Sequence, residues 1–154
     1  MTLKKNNSRG SVNLGKLPTY LGYQSRQAQA AVWRDFPRLM NEVGITPGEF
    51  GLLTLIDANS GINQISLAKV YQLDKSTLSY AINRLVKRDL ISRTRDSNDK
   101  RHYALWLTET GRKTLDQATE KVEDQERTMD AVLEPGEREK LLDMLQRISR
   151  AFES

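Results

Sequence analysis

Between Lys75 and Arg84 the polar side chains Lys75, Ser76, Thr77, Ser79, Tyr80, Asn83 and Arg84 are interleaved with Leu78, Ala81, Ile82 and, just beyond, Leu85. On a helix this spacing gathers the apolar set on one face and leaves the polar set on the other. Short hydroxyls permit close approach, and Asn83 or Arg84 could place paired hydrogen bonds on the edge of a base. Such a face suits the major groove of double-stranded DNA. Lys87, Arg88 and Arg93 follow as cations placed for phosphate oxygens, contacts that position a protein without reading sequence. A plain solvated surface is the competing reading of the same charges.

Charge distribution bears on that choice. The 154 residues hold 24 Lys+Arg and 20 Asp+Glu, a formal net charge of +4. By segment the balance is +4 over residues 1–16, +1 over 17–45, −2 over 46–74, +5 over 75–101 and −4 over 102–154. The block that holds the candidate reading face is therefore the most basic part of the chain, as a nucleic-acid footprint requires. Residues 1–16 are basic and without period, and read as an arm that either drapes along DNA or is disordered.

Other chemistries lack material. His102 is the one histidine and there is no cysteine, so no histidine metal cluster, thiolate site, disulfide or Ser-His-Asp triad can be assembled. Neither phosphate-cradling glycine motif, G-x-x-x-x-G-K-[ST] or G-x-G-x-x-G, is present. Glu120, Glu123, Asp124 and Glu126 read as the solvated face of a charged helix. No enzymatic activity, cofactor or metal is expected. With no apolar run near the roughly 18 residues of a membrane span and no signal-peptide block, a cytoplasmic protein is expected, with no membrane partner.

The elements that must position the polar face can be read from period and punctuation. Leu17, Leu21, Ala28, Val32, Phe36, Leu39 and Val43 share a face and predict a long first helix closed by Gly44, kinked or broken near residues 33–37 by Pro37. Trp33 and Met40 lie off this stripe, so a second side is expected to be covered. Thr46-Pro47-Gly48-Glu49 is an N-cap, a proline at the first position and a capping-box carboxylate, opening a helix to about Ala58. Asn63 can cap a short helix carrying Ile65, Leu67, Ala68 and Val70, and Leu73-Asp74 forms the turn and cap of the next, which ends near Arg88-Asp89-Leu90. Residues 91–95 and 103–107 predict two strands of a hairpin with a charged tip.

Thr108-Glu109-Thr110-Gly111 starts a further helix with Leu115, Ala118, Val122, Met129 and Val132 at seam positions, interrupted by Gln125. Pro135 opens the last, with Leu141, Leu142, Leu145, Ile148 and Phe152 on one side. The stripes of the terminal helices exceed what the central part can cover, which predicts a helical homodimer interface built from both chain ends. The fold expected is mainly α, a winged helix-turn-helix with a small β-hairpin wing. Its parts are an arm (1–16), a dimerisation helix (17–45), the winged helix-turn-helix domain (46–109) and C-terminal dimerisation helices (110–154).

Across residues 61–111 the chain resembles the multiple-antibiotic-resistance-regulator (MarR) family of bacterial transcription factors. The matching residues are Ile65-Ser66-Leu67-Ala68, Leu73-Asp74-Lys75-Ser76-Thr77-Leu78 and Arg84-Leu85-Val86-Lys87-Arg88-Asp89-Leu90-Ile91. A wing signature follows, Arg95-Asp96-Ser97-Asn98-Asp99-Lys100-Arg101 with Leu105-Trp106-Leu107-Thr108-Glu109-Thr110-Gly111. The resemblance implies a homodimer whose recognition helices enter successive major grooves. It also implies a wing, with Arg95, Asp99, Lys100 and Arg101, that reaches DNA. Arg101 would enter a minor groove with Asp99 orienting its guanidinium, unless the pair only staples the hairpin. Asp89 stands where the family usually has glycine, which makes that turn costlier.

The resemblance further implies a small-molecule effector in a cleft between the dimer helices and the winged domain. The run Leu17-Pro18-Thr19-Tyr20-Leu21-Gly22-Tyr23-Gln24-Ser25-Arg26 is similar to members that sense aromatic acids or their coenzyme A thioesters. Tyr20, Tyr23, Trp33, Phe36 and Phe50 would supply apolar walls and Arg26 or Arg34 an anion partner, although each alone also fits core, dimer contact or surface. A ligand-responsive repressor on a pseudo-palindromic operator is the function implied. A winged-helix adaptor that binds protein without reading DNA is the alternative.

Overall fold

In the computed structural model, residues 12–71, 73–95 and 103–153 are described. The chain divides at Phe36/Pro37 into two compact units. In the first, a 3-10 turn at Leu17–Thr19 leads into helix α1 (Leu21–Leu39), which runs on past the division. The turn's last amide bond, from Tyr20 to the Leu17 carbonyl, separates it from the α-helix. The long helix expected over 17–43 is therefore shorter at both ends. It continues through Pro37 for two residues and stops, so the amide that the proline lacks, which would bond the Trp33 carbonyl, is missing from the last turn of the helix. Gly44, at φ +70°, closes the turns that follow rather than the helix, with its amide on the Met40 carbonyl at 2.7 Å.

The second unit contains α2 (Pro47–Ala58), β1 (Ile62–Asn63), α3 (Gln64–Tyr71), α4 (Lys75–Lys87), β2 (Ile91–Arg95), β3 (Tyr103–Leu107), α5 (Glu109–Asp130) and α6 (Glu137–Arg150). The capping box forms as the sequence predicts. Thr46 Oγ1 accepts from Glu49 N at 3.1 Å, and Glu49 Oε2 accepts from Thr46 N at 2.9 Å. Asn63 Oδ1 accepts from Ser66 N at 2.9 Å at the start of α3.

The three strands make an antiparallel sheet in the order β1-β3-β2, with Ile91 opposite Leu107 and Arg95 opposite Tyr103. β1, two residues pairing Ile62 with Leu105, has no signature in the sequence because a strand so short shows no alternation. Leu52, Leu53 and Ile56 of α2, Leu67 of α3, Leu78, Ile82 and Leu85 of α4, Ile91 of β2 and Leu105 of β3 form the buried core, joined by Leu115 and Ala118 of α5. Every helix of this unit except α6 contributes to it.

α6 begins two residues after Pro135, with Gly136 at φ +81° as its N-cap, so the proline belongs to the preceding turn. Val132, expected at the seam of α5, lies beyond that helix and is 82% exposed. Arg138 of α6 bonds Glu126 and Asp130 of α5, tying the two helices together. Those carboxylates raise the guanidinium's pKa, chiefly through the hydrogen bond to Glu126. Leu141, Leu142, Met144, Leu145, Ile148 and Phe152 of the C-terminal segment are all exposed.

Candidate nucleic-acid interface

α3 and α4 are the helix-turn-helix pair, and their junction is built by Asp74. Its carboxylate accepts from the hydroxyls of Ser76 and Thr77 and from their amides at 3.0 and 2.9 Å. Two free amides at the start of α4 are thereby satisfied, and the charge sits at the positive end of the helix dipole. The Ser76 and Thr77 hydroxyls, then the Thr77 amide, hold the Asp74 carboxyl well below the usual carboxylate range.

At its other end α4 closes in a Schellman motif. Leu90 N bonds the Leu85 carbonyl at 2.9 Å, Asp89 N bonds the Val86 carbonyl at 3.0 Å, and Asp89 adopts φ +57°. Leu85 and Leu90 are both buried, which supplies the hydrophobic contact of that motif. The left-handed turn predicted for Asp89 is thus present. It delivers the chain into β2 and sits under the start of α5. Thr108 Oγ1 donates to the Asp89 carbonyl at 2.6 Å and accepts from Gly111 N at 2.9 Å.

The core face of α4 consists of Leu78, Ile82 and Leu85, each fully buried, as the spacing predicts. Lys75, Ser76, Thr77, Asn83 and Lys87 are exposed, and Tyr80 is 68% exposed, so the polar face is solvent-facing along the helix. Ser79 is half-buried, and its Oγ accepts from Gln64 Nε2 of α3 at 2.6 Å, which fixes the two helices against each other.

Two residues of that face are engaged in a way the sequence does not reveal. Arg84 Nη2 lies 3.1 Å from Glu49 Oε1, and Arg88 Nη1 lies 3.5 Å from Glu49 Oε2. Glu49 is 4% exposed, the one buried charged residue of the described core. The expectation that Arg84 reads a base and Arg88 a phosphate therefore needs amending: a contact by either must compete with a buried carboxylate. The capping-box motif located Glu49, but nothing local could show that its carboxylate also faces residues 35 and 39 positions later.

In the wing, Arg93 Nη1 donates to Asn83 Oδ1 at 3.1 Å, and its guanidinium carbon stands 5.8 Å from the centroid of the Tyr103 ring. Trp106 Nε1 donates to Thr94 Oγ1 at 2.9 Å across the hairpin. Arg93 and Arg95 are exposed on β2. Asp99, Lys100, Arg101 and His102 lie outside the described residues.

The effector candidates are distributed differently. In the first unit Tyr20 is 55% and Trp33 56% exposed, Arg26 and Arg34 are exposed, Tyr23 is half-buried and Phe36 is buried. Phe50, in the second unit, is half-buried. Burial of Phe36 makes it a packing residue, whereas Tyr20 and Trp33 present aromatic surface to solvent. Among the described residues no cluster of His, Cys, Asp or Glu could hold a metal ion, and no helix is long and apolar enough to cross a membrane.

Residues 45–103 match the model of the MarR family. A putative transcriptional regulatory protein for the hcr operon of Thauera aromatica is 33% identical over 137 residues, covering 88% of this chain and 82% of that protein. The transcriptional repressor CouR bound to a 23-mer DNA duplex is 34% identical, superposes with a TM-score of 0.85, and covers 90% of this chain and 98% of its own. CouR bound to p-coumaroyl-CoA gives 34% and 0.84, with 92% and 99% covered. With a helix-turn-helix capped by Asp74, a solvent-facing polar helix and a basic wing already in place, these similarities establish that the chain belongs to the MarR family and is a transcription regulator.

Proposed function

We propose that this chain is a cytoplasmic, dimeric repressor that binds a pseudo-palindromic operator through α4 and the wing and is released by a small aromatic or anionic ligand. The observation that carries the reading is the exposed polar face of α4, in a fold shared with a repressor whose structures include one on a DNA duplex and one with an aromatic coenzyme A thioester. Lys75, Ser76, Thr77, Ser79, Tyr80 and Asn83 face the major groove. Lys87, Arg93 and Arg95 take phosphates, and Arg84 and Arg88 contribute while paired with Glu49. Asp99, Lys100 and Arg101 form the wing tip, with Arg101 in the minor groove.

The exposed apolar stripe of α6, together with the exposed Leu17 and Leu21, supports a second copy as the partner. Residues 17–45 and 110–154 then serve dimerisation, residues 46–109 bind DNA, and residues 1–16 add a basic arm. Of the first unit's residues, Tyr20, Tyr23 and Trp33 wall the effector site, with Phe36 supporting them and Arg26 or Arg34 meeting the anionic group; Phe50 is proposed separately as a ligand contact of the second unit. Repression is relieved when the ligand fixes the two reading helices at a spacing that no longer matches grooves about 34–36 Å apart.

Titration of Arg101→Ala against the operator at fixed salt tests the wing: weakened binding with an intact dimer is expected, and unchanged binding would remove the assignment. Thermal-shift screening with aromatic acids and their coenzyme A thioesters tests the ligand class, since a ligand that binds only the folded state raises the midpoint. No stabilisation across that set would retire it.

A further inference from the structure

We propose that Arg93 is a positioning residue that fixes the hydrogen-bonding polarity of Asn83, so that the reading helix offers a donor, not a donor–acceptor pair, to one base of each half-site. Arg93 Nη1 donates to Asn83 Oδ1 at 3.1 Å, and both residues are exposed, Asn83 on α4 and Arg93 on β2. Arginine carries only N–H donors. The atom that Asn83 turns toward it is therefore its carbonyl oxygen, and the amide NH2 is the group left for another partner.

The consequence is specific. Reading adenine with asparagine needs both atoms of the side-chain amide, Oδ1 accepting from N6 and Nδ2 donating to N7. Here a guanidinium holds the oxygen and places a positive charge beside it, which disfavours a second donor such as the adenine amino group. What Asn83 can still satisfy is an acceptor on the major-groove edge: O6 or N7 of guanine or O4 of thymine is met without a donor beside it on the same base, whereas N7 of adenine adjoins the N6 amino group that the occupied oxygen and the guanidinium charge disfavour. The Tyr103 ring, 5.8 Å from the Arg93 guanidinium carbon, helps keep that group in place. Arg93 thus acts on base choice through Asn83, from a strand outside the reading helix.

This inference rests on α4 lying in the major groove, the reading proposed above. The test is selection of bound duplexes from a randomised pool by the full-length protein and by Asn83→Ala, Arg93→Lys and Arg93→Met, with helix content checked by circular dichroism. Selection at reduced salt offsets the uniform affinity lost with a cation. The wild-type protein should enrich guanine or thymine about five- to tenfold at one position of each half-site, and Asn83→Ala should lose that preference while keeping the others. Arg93→Lys, which keeps a donor, should retain the wild-type profile. Arg93→Met, which frees Oδ1, should shift the position toward adenine.

Enrichment that Arg93→Met leaves unchanged, or that Lys and Met alter alike, would overturn the polarity assignment alone. A wild-type pool with no enriched sequence would overturn it together with the DNA-reading function.

Discussion

Glu49 Oε1 lies 3.1 Å from Nη2 of Arg84, joining the capping box of α2 to the helix that faces solvent with its polar side chains. The same carboxylate accepts from the Thr46 amide and meets Arg88, so three groups converge on one buried residue. The contact to Arg84 is ionic, without an aligned hydrogen bond to Oε1. Its physical effect is to restrain the rotation of α4 about its axis, and with it the direction in which Ser79, Tyr80 and Asn83 point.

Glu49→Gln keeps an oxygen for the Thr46 amide but removes the charge that holds both arginines. Non-specific DNA affinity should rise and its salt dependence steepen, because each protomer gains one net positive charge. The preference for operator over random duplex should fall as α4 loses its restraint. Glu49→Ala, which also removes the cap, should cost about 2 kcal/mol of stability. Salt titrations on both duplexes and urea unfolding measure these effects, and an unchanged specificity ratio in Glu49→Gln would contradict the restraint.

Gly111 cannot carry a side chain. A Cβ there would stand 1.8 Å from the Leu90 carbonyl oxygen and 2.8 Å from its carbon, both backbone atoms of the turn that follows α4. The gain in helix propensity from Gly to Ala, about 1 kcal/mol, is too small to offset displacement of a backbone already bonded to Thr108 N. Gly111→Ala should destabilise by more than about 2 kcal/mol and lower the midpoint by several degrees, read by thermal unfolding.

Asp89 at φ +57° offers the reverse case. Glycine at the same position removes the Cβ penalty of a left-handed residue while leaving both backbone bonds of the Schellman motif. Asp89→Gly should be neutral to stabilising by about 0.5–1 kcal/mol, and Asp89→Val should be destabilising by more than that. Chemical denaturation of the two variants side by side would decide, and a valine that is tolerated as well as glycine would refute the strain argument.

The depressed pKa of Asp74 fixes a sign for acid unfolding. Its folded value lies below the unfolded value of about 3.9, so its contribution is fully present above that pH and is lost as pH falls toward the folded value. Asp74→Asn has no such proton to take up. The stability difference between wild type and Asp74→Asn should hold steady from pH 7 to pH 5 and shrink below about pH 4. Urea midpoints across that range measure it, and a difference that stays constant to pH 3 would count against the account.

Much of this molecule follows from local sequence. Thr46-Pro47-Gly48-Glu49, Asp74 and Thr108 each cap the helix they precede, and Leu78, Ile82 and Leu85 fall inside because helical period leaves no other face for them. The hairpin 91–95 with 103–107 was equally legible, since alternation and turn chemistry act over a few residues, whereas the left-handed Asp89 was expected only from the family resemblance, which has glycine there. The α1 stripe was legible too, but its limits were not, because the 3-10 turn at Leu17–Thr19 and the stop after Pro37 depend on which amides find carbonyls.

The candidate site divides along the same line. Which residues of α4 are polar and outward is a property of the sequence, because it depends only on residue type and the helical repeat. Which of them remain available is decided by tertiary structure: Glu49 takes up Arg84 and Arg88, Arg93 takes the oxygen of Asn83, and Gln64 donates to Ser79. These pairings span 39 residues at most and 10 at least. No local pattern encodes them, because a hydrogen bond is set by where folded elements bring two groups together.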